Sequence, residues 1–111
     1  MNLESKEQIE AELEQAASAR IAGSEGRCRV CARRAAGIAI RRYLTLQGYS
    51  VSGKSVSDLL GILMDLPGVP EQVIAASKKL CMRVNRDYHL PAGFDLIAEA
   101  RILINTLEKE Y

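Results

Sequence analysis

The 111-residue chain has no tryptophan, and its aromatic side chains are four tyrosines and one phenylalanine. With aromatics this scarce and Ala, Leu, Ile, Glu and Arg abundant, the composition favours helix over sheet. No apolar run approaches the ~20 residues of a membrane span, and the acidic N-terminus is unlike a signal peptide, so a cytoplasmic protein without a membrane segment is expected. Three cysteines, an odd number without secretory context, are expected as reduced thiols. There is one histidine, His89, and no nucleophile elbow, so a Ser-His-Asp hydrolase has no support. No pair of carboxylates sits in an apolar surround, which leaves glycosidase-like chemistry without a foothold. No internal repeat or low-complexity segment stands out. A chain of this length can build a real core without disulfide or metal staples, and one domain over residues 1–111 is expected.

What is present is organised around the stretch from Gly26 to Gly48, which contains no proline. At ~100° per residue, Cys28, Cys31, Ala32, Ala35, Ala39, Tyr43 and Leu46 fall within one arc of a helix. Val30, Gly37 and Leu44 form a second apolar row at heptad spacing. A helix apolar on more than one side has neighbours on more than one side, so this is the expected central helix of a bundle.

The same stretch carries Arg27, Arg29, Arg33, Arg34, Arg41 and Arg42 with no acid between them. Residues 1–22 hold Glu4, Glu7, Glu10, Glu12 and Glu14 against Lys6 and Arg20. The first reading of this asymmetry is an acidic helix lying beside a basic one. The second is a basic patch left open for RNA or a nucleotide, although a pI near 7.7 is far from that of dedicated nucleic-acid binders.

Ser5 and Gln8 have the form of a capping box, and Ile9, Leu13, Ala16, Ala17 and Ile21 follow at helical spacing, which predicts a first helix over about 5–22. Gly23 to Gly26 bends the chain into the central helix, and Gly48 ends it. The loop that follows closes on Gly53-Lys54-Ser55, with Gly48 placed as in a phosphate-binding loop. Such a loop needs a preceding strand, and here a helix precedes it. Ser55 and Asp58 form a second capping pair, for a short helix with Val56, Leu59, Leu60, Leu63 and Leu66 facing inward until Pro67-Gly68. Pro70 and Glu71 suit the first turn of a helix whose buried side is Val73, Ile74, Ser77, Leu80, Cys81 and Val84, running to about Asp87. Pro91 breaks the chain, and a last helix from about Asp95 to Glu110 has Ile97, Ala100, Ile104, Leu107 and Tyr111 as its seam.

Three constellations could carry chemistry. Cys28 and Cys31 lie near the start of the central helix beside Arg27 and Arg29, where a helix N-terminus and cations lower thiol pKa. The CxxC of all-helical alkylhydroperoxidase-type proteins sits in such a place, but their Glu and His positions are Ser24 and Ala35 here, and the first reading of the thiols is as small core hydrophobes. Convergence of Cys28, Cys31, Cys81 and His89 would have the count for zinc, but structural zinc pairs sit on loops rather than within a long helix, and no metal site is expected. His89 with Arg83 could cleave RNA without metal, His handling the proton while Arg neutralises the phosphorane charge. A six-residue separation puts them on different faces of a continuous helix, so they converge only if the helix unwinds or two chains meet. Otherwise Tyr88 and His89 simply cap the helix end.

From the central helix onward the chain resembles the HEPN family of small helical bundles. VCARRAAGIAIRRYLTLQG is similar to the family's long helix, SVSDLLGILMDLPGVPEQV to the helix after it, and LCMRVNRDYHLP to its turn before a last helix rich in alanine and acids. The sequence departs from the pattern at Ala36-Gly37-Ile38, at Ser55 or Ser57 where a His is common, and at Arg86 to Pro91. The family's ribonuclease signature, an arginine and a histidine separated by four to six residues, is matched by Arg83 and His89, with Asn85 as a further polar group.

The resemblance implies an all-α, up-and-down bundle of four or five helices that forms a homodimer along its long helices. It implies a role as an RNA-cleaving toxin, as partner of a small nucleotidyltransferase, or as a non-catalytic binder of nucleotide or RNA. The expected function is the last kind, a binding or partner module without cofactor. It would engage RNA, a nucleotide or a partner protein through a basic surface of Arg33, Arg34, Arg41, Arg42 and Asn85. A ribonuclease using Arg83 and His89, and a thiol redox protein using Cys28 and Cys31, stand behind it.

Overall fold

The computed structural model describes residues 3–82 and 95–109. Among these residues the chain is all-α, with five helices and no strand: α1 Leu3–Ile21, α2 Glu25–Leu46, α3 Val56–Asp65, α4 Glu71–Cys81 and α5 Leu96–Lys109. The stretch expected to be central is so, because α2 packs against each of the other four helices. Its buried face is made of small side chains: Cys28, Cys31, Ala32, Ala35, Ala36, Gly37 and Ala39. Small residues let neighbouring helix axes come close, and the larger Ile40 and Leu44 fill the end where α2 meets the rest of the core. That core is completed by Ile9 and Leu13 of α1, Leu59, Leu60 and Leu63 of α3, Val73 and Leu80 of α4, and Leu96, Leu103 and Leu107 of α5.

Local chemistry sets the helix ends. After α2, Gly48 takes φ +90°, and the N–H groups of Gly48 and Tyr49 return to the carbonyls of Thr45 and Leu44. After α1 the same arrangement recurs: Gly23 has φ +80°, with Gly23 and Ser24 donating to Arg20 and Ala19. Both are the paired bonds of a left-handed helix stop, a conformation that a side chain would strain. At the start of α3 the expected capping box is complete, Ser55 Oγ accepting from the Asp58 N–H and the Asp58 carboxylate accepting from the Ser55 N–H. Such a box satisfies two otherwise orphaned donors.

Several expectations are corrected. Helix α1 begins at Leu3, so Ser5 lies inside it rather than capping it. Ala17 and Ile21 are exposed, and Ala19 takes the buried place because α1 there meets Cys28 and Cys31. Val30 and Leu46 of α2 also face solvent. Helix α4 ends at Cys81, six residues short of Asp87, because Met82 is extended at ψ 140°. Val84 and Tyr111, expected on buried seams, lie outside the described residues.

Surface ion pairs tie the helices together. Glu10 of α1 pairs with Arg101 of α5, Lys6 with Glu108, Lys79 of α4 with Glu99, and Arg20 with Asp95. Asp95 also caps α5, accepting from the Ala98 N–H. The hydrogen bond from Arg20 holds the Asp95 carboxyl below its ordinary pKa, outweighing partial desolvation, with the Ala98 N–H adding to the effect. A carboxyl whose pKa is lower folded than unfolded stabilises the fold above its unfolded pKa, and that stability is lost as pH falls through the folded value. Thermal melts of the wild type should therefore drop more steeply below the ordinary carboxylate range than those of Asp95→Asn. The difference is small, since the pair is half-exposed, and shrinks with added salt. Parallel acid limbs for the two proteins would refute the linkage.

Candidate functional site

Helices α1 and α2 are joined by a short turn and run antiparallel, so the start of α1 lies beside the end of α2. On their outer side a groove of about 700 Å³ opens between Ser5, Gln8, Ala11 and Glu12 of α1 and Arg34, Gly37, Ile38, Arg41, Arg42 and Thr45 of α2. Val56 of α3 also lines it, packed against Gly37. A second hollow of about 480 Å³ continues from Ala11 along the same seam, between Glu14, Gln15, Ser18 and Ala22 on one side and Ser24 and Arg27 on the other. The two share Ala11 and form one shallow, open trough.

The two walls differ in charge. Arg27, Arg34 and Arg41 stand seven residues apart on α2, nearly in line along a helix. Among the described residues no carboxylate comes within ion-pairing distance, 4.0 Å, of these three or of Arg42. Arg41 donates to the carbonyls of Val51 and Lys54, each at 2.9 Å, bracing the loop after α2 without neutralising its own charge. Arg33 donates to Ser57 Oγ and Arg29 to the Met82 carbonyl. The acidic helix therefore lies beside the basic one, but its one carboxylate ion pair among the described residues, Glu10 with Arg101, goes to α5. Glu12 Oε2 and Arg42 Nε, both from side chains lining the trough, are buried without a hydrogen-bond partner among the described residues. Such groups are unusual in a folded chain.

Of the residues expected to bind, Arg34, Arg41 and Arg42 come together in the trough, and Arg33 sits on Ser57 beside α3. Asn85, Arg83 and His89 lie outside the described residues. The α1 wall was not anticipated. Its signal was a polar and small row, Gln8, Ala11, Gln15, Ser18 and Ala22, at alternating three- and four-residue spacing beside the apolar one.

The other motifs resolve into structure. Cys28 and Cys31 are both buried, packed with Ala16 and Ala19. Burial pushes the Cys28 thiol above its ordinary pKa even though Arg20 pulls the other way, the opposite of what a dithiol nucleophile needs. Cys81 is half-buried on α4, and among the described residues no three His, Cys, Asp or Glu side chains gather as a metal site. The Gly53-Lys54-Ser55 loop follows a helix, and its serine hydroxyl caps α3. Among the described residues, no helix is long and apolar enough to cross a membrane.

No family model, no curated protein and no solved structure matches the chain. The class that fold and site define is thus an all-α protein with a basic-walled trough on its outer surface.

Proposed function

We propose that the protein is a non-catalytic binding and partner module, a HEPN-like helical bundle acting as a homodimer in the cytoplasm, whose binding surface is the α1–α2 trough. One observation carries this reading: the arginine row of α2 lines a concave surface and is not neutralised by the acidic helix beside it. Four guanidinium groups at one seam, over apolar Ala11, Gly37 and Ile38, favour an anionic or acidic partner. Reading the thiols as core and the Gly53-Lys54-Ser55 loop as a helix connection removes two competing uses of the chain.

The test is retention on a heparin column. Wild type should be held at low ionic strength and released by salt as the screening length shortens toward contact distance. Arg27→Glu/Arg34→Glu, a change of two exposed side chains, should pass through unretained while its circular dichroism and melting temperature match the wild type. Equal elution of the two proteins would overturn the reading, because the anion-binding surface would then lie elsewhere.

A further inference from the structure

We infer that the occupant of the trough is an amphipathic α-helix of a partner protein, with acidic residues at seven-residue spacing along one edge and apolar residues facing the seam. This rests on the reading of the trough as the binding surface and specifies its partner.

The length of the trough comes first. From Arg27 to Thr45 along α2 is eighteen residues, about 27 Å at 1.5 Å per residue. A site this long and open along its side suits an elongated partner, whereas small molecules are held in concave sites that bury most of their surface. Its floor is small and apolar where the partner must approach, at Ala11 and Ala22, and large side chains from an incoming helix fill hollows of that kind. Two antiparallel helices presenting a groove accept a third helix by the packing that governs the rest of the fold. An added β-strand has no sheet edge to join, since the described residues contain no strand.

Charge then sets the partner's chemistry. Arg27, Arg34 and Arg41 recur about every 10.5 Å, the seven-residue repeat of a helix, so acids spaced seven apart on a parallel or antiparallel helix meet all three. The opposite wall carries Glu12 and Glu14, which favour a basic or neutral second edge. Those two carboxylates also argue against a nucleic acid, whose phosphates they repel. So does the lining itself, which among the described residues contains no Phe, Tyr or Trp on which an unpaired base could stack.

The probe is a synthetic peptide of about 21 residues, which spans about 31 Å as a helix. It carries Glu at the first, eighth and fifteenth positions on one edge and Leu or Ala on the seam face. The control is a scrambled isomer of the same composition and charge. The in-register peptide should bind the wild-type protein roughly tenfold tighter than the isomer and gain helical circular dichroism on binding. Against Arg27→Glu/Arg34→Glu that advantage should vanish. Equal affinity of the two peptides would overturn the inference, as charge alone would explain binding. So would a single-stranded oligouridylate that displaces the in-register peptide and binds more tightly, which would assign the surface to nucleic acid. In both cases arginine-dependent heparin retention would leave the binding-surface reading standing. Loss of that arginine dependence on heparin would instead remove the reading itself.

Discussion

Leu60→Ala is expected to lower the unfolding free energy by about 2–5 kcal/mol, the range for truncating a fully buried leucine that leaves an unfilled space. Leu60 has no exposed surface and belongs to the main core cluster. It lies on α3, a helix of ten residues, too short to be stable in water by itself. What holds α3 is its capping box and the burial of Leu59, Leu60 and Leu63 against α2 and α4. The check is urea denaturation followed by circular dichroism: the midpoint should fall while the slope stays unchanged, since the change acts on packing rather than on the size of the transition. A loss below roughly 1 kcal/mol would mean that the site collapses freely or that α3 is not docked as described. The consequence reaches the trough, because α3 supplies Val56 against Gly37.

That α3 was legible in sequence follows from how local its signals are. Ser55 and Asp58 are three residues apart and complete their hydrogen bonds within one turn, and the leucines after them share one face. The stops at Gly23 and Gly48 were legible for the same reason, since a helix followed by glycine needs no distant partner to end. Where the reading failed, the deciding interaction was distant or the side chain small. Ala17 and Ala19 are equally apolar, and only the position of Cys28 and Cys31 across the seam decides which is buried. Ile21 continues the apolar spacing of α1, but the helix ends there and no neighbour covers it.

The trough was the least legible feature. Arginines at seven-residue spacing could be seen in α2, and acids could be counted in α1. Whether they neutralise one another depends on how α1 is rotated about its axis. The structure turns Ile9, Leu13 and Ala16 into the core, and Glu10 then falls on the side of Arg101 of α5. Gln8, Ala11, Gln15 and Ser18 are left along the α2 seam, a helically spaced row whose polar and small side chains do not by themselves mark a buried or binding face. A surface of this kind is defined by where the neighbouring helices do not go, which is information held by the whole packing and by no single stretch.

Ala35→Leu is the second large expected effect, and it tests the central idea of the fold, that α2 is central because its buried face is small. Ala32, Ala35, Ala36 and Ala39 have no exposed surface and all belong to the main core cluster. Leucine at position 35 adds three carbon atoms where the packing has no room, and over-packing of this kind costs about 1–3 kcal/mol, occasionally more. Leucine and alanine are both strong helix formers, so helix propensity changes little and the loss reports on packing. The matching control is Ala11→Leu, on the open floor of the trough, where the added atoms meet solvent. Its stability should stay within about 0.5 kcal/mol of wild type. It fills the groove, however, and should therefore weaken the in-register helical peptide. Denaturation of the two variants side by side separates core from site: position 35 should lose stability, and position 11 should lose binding alone. If Ala35→Leu is as stable as wild type, the alanine face of α2 is not held at close approach, and the central place given to that helix must be abandoned.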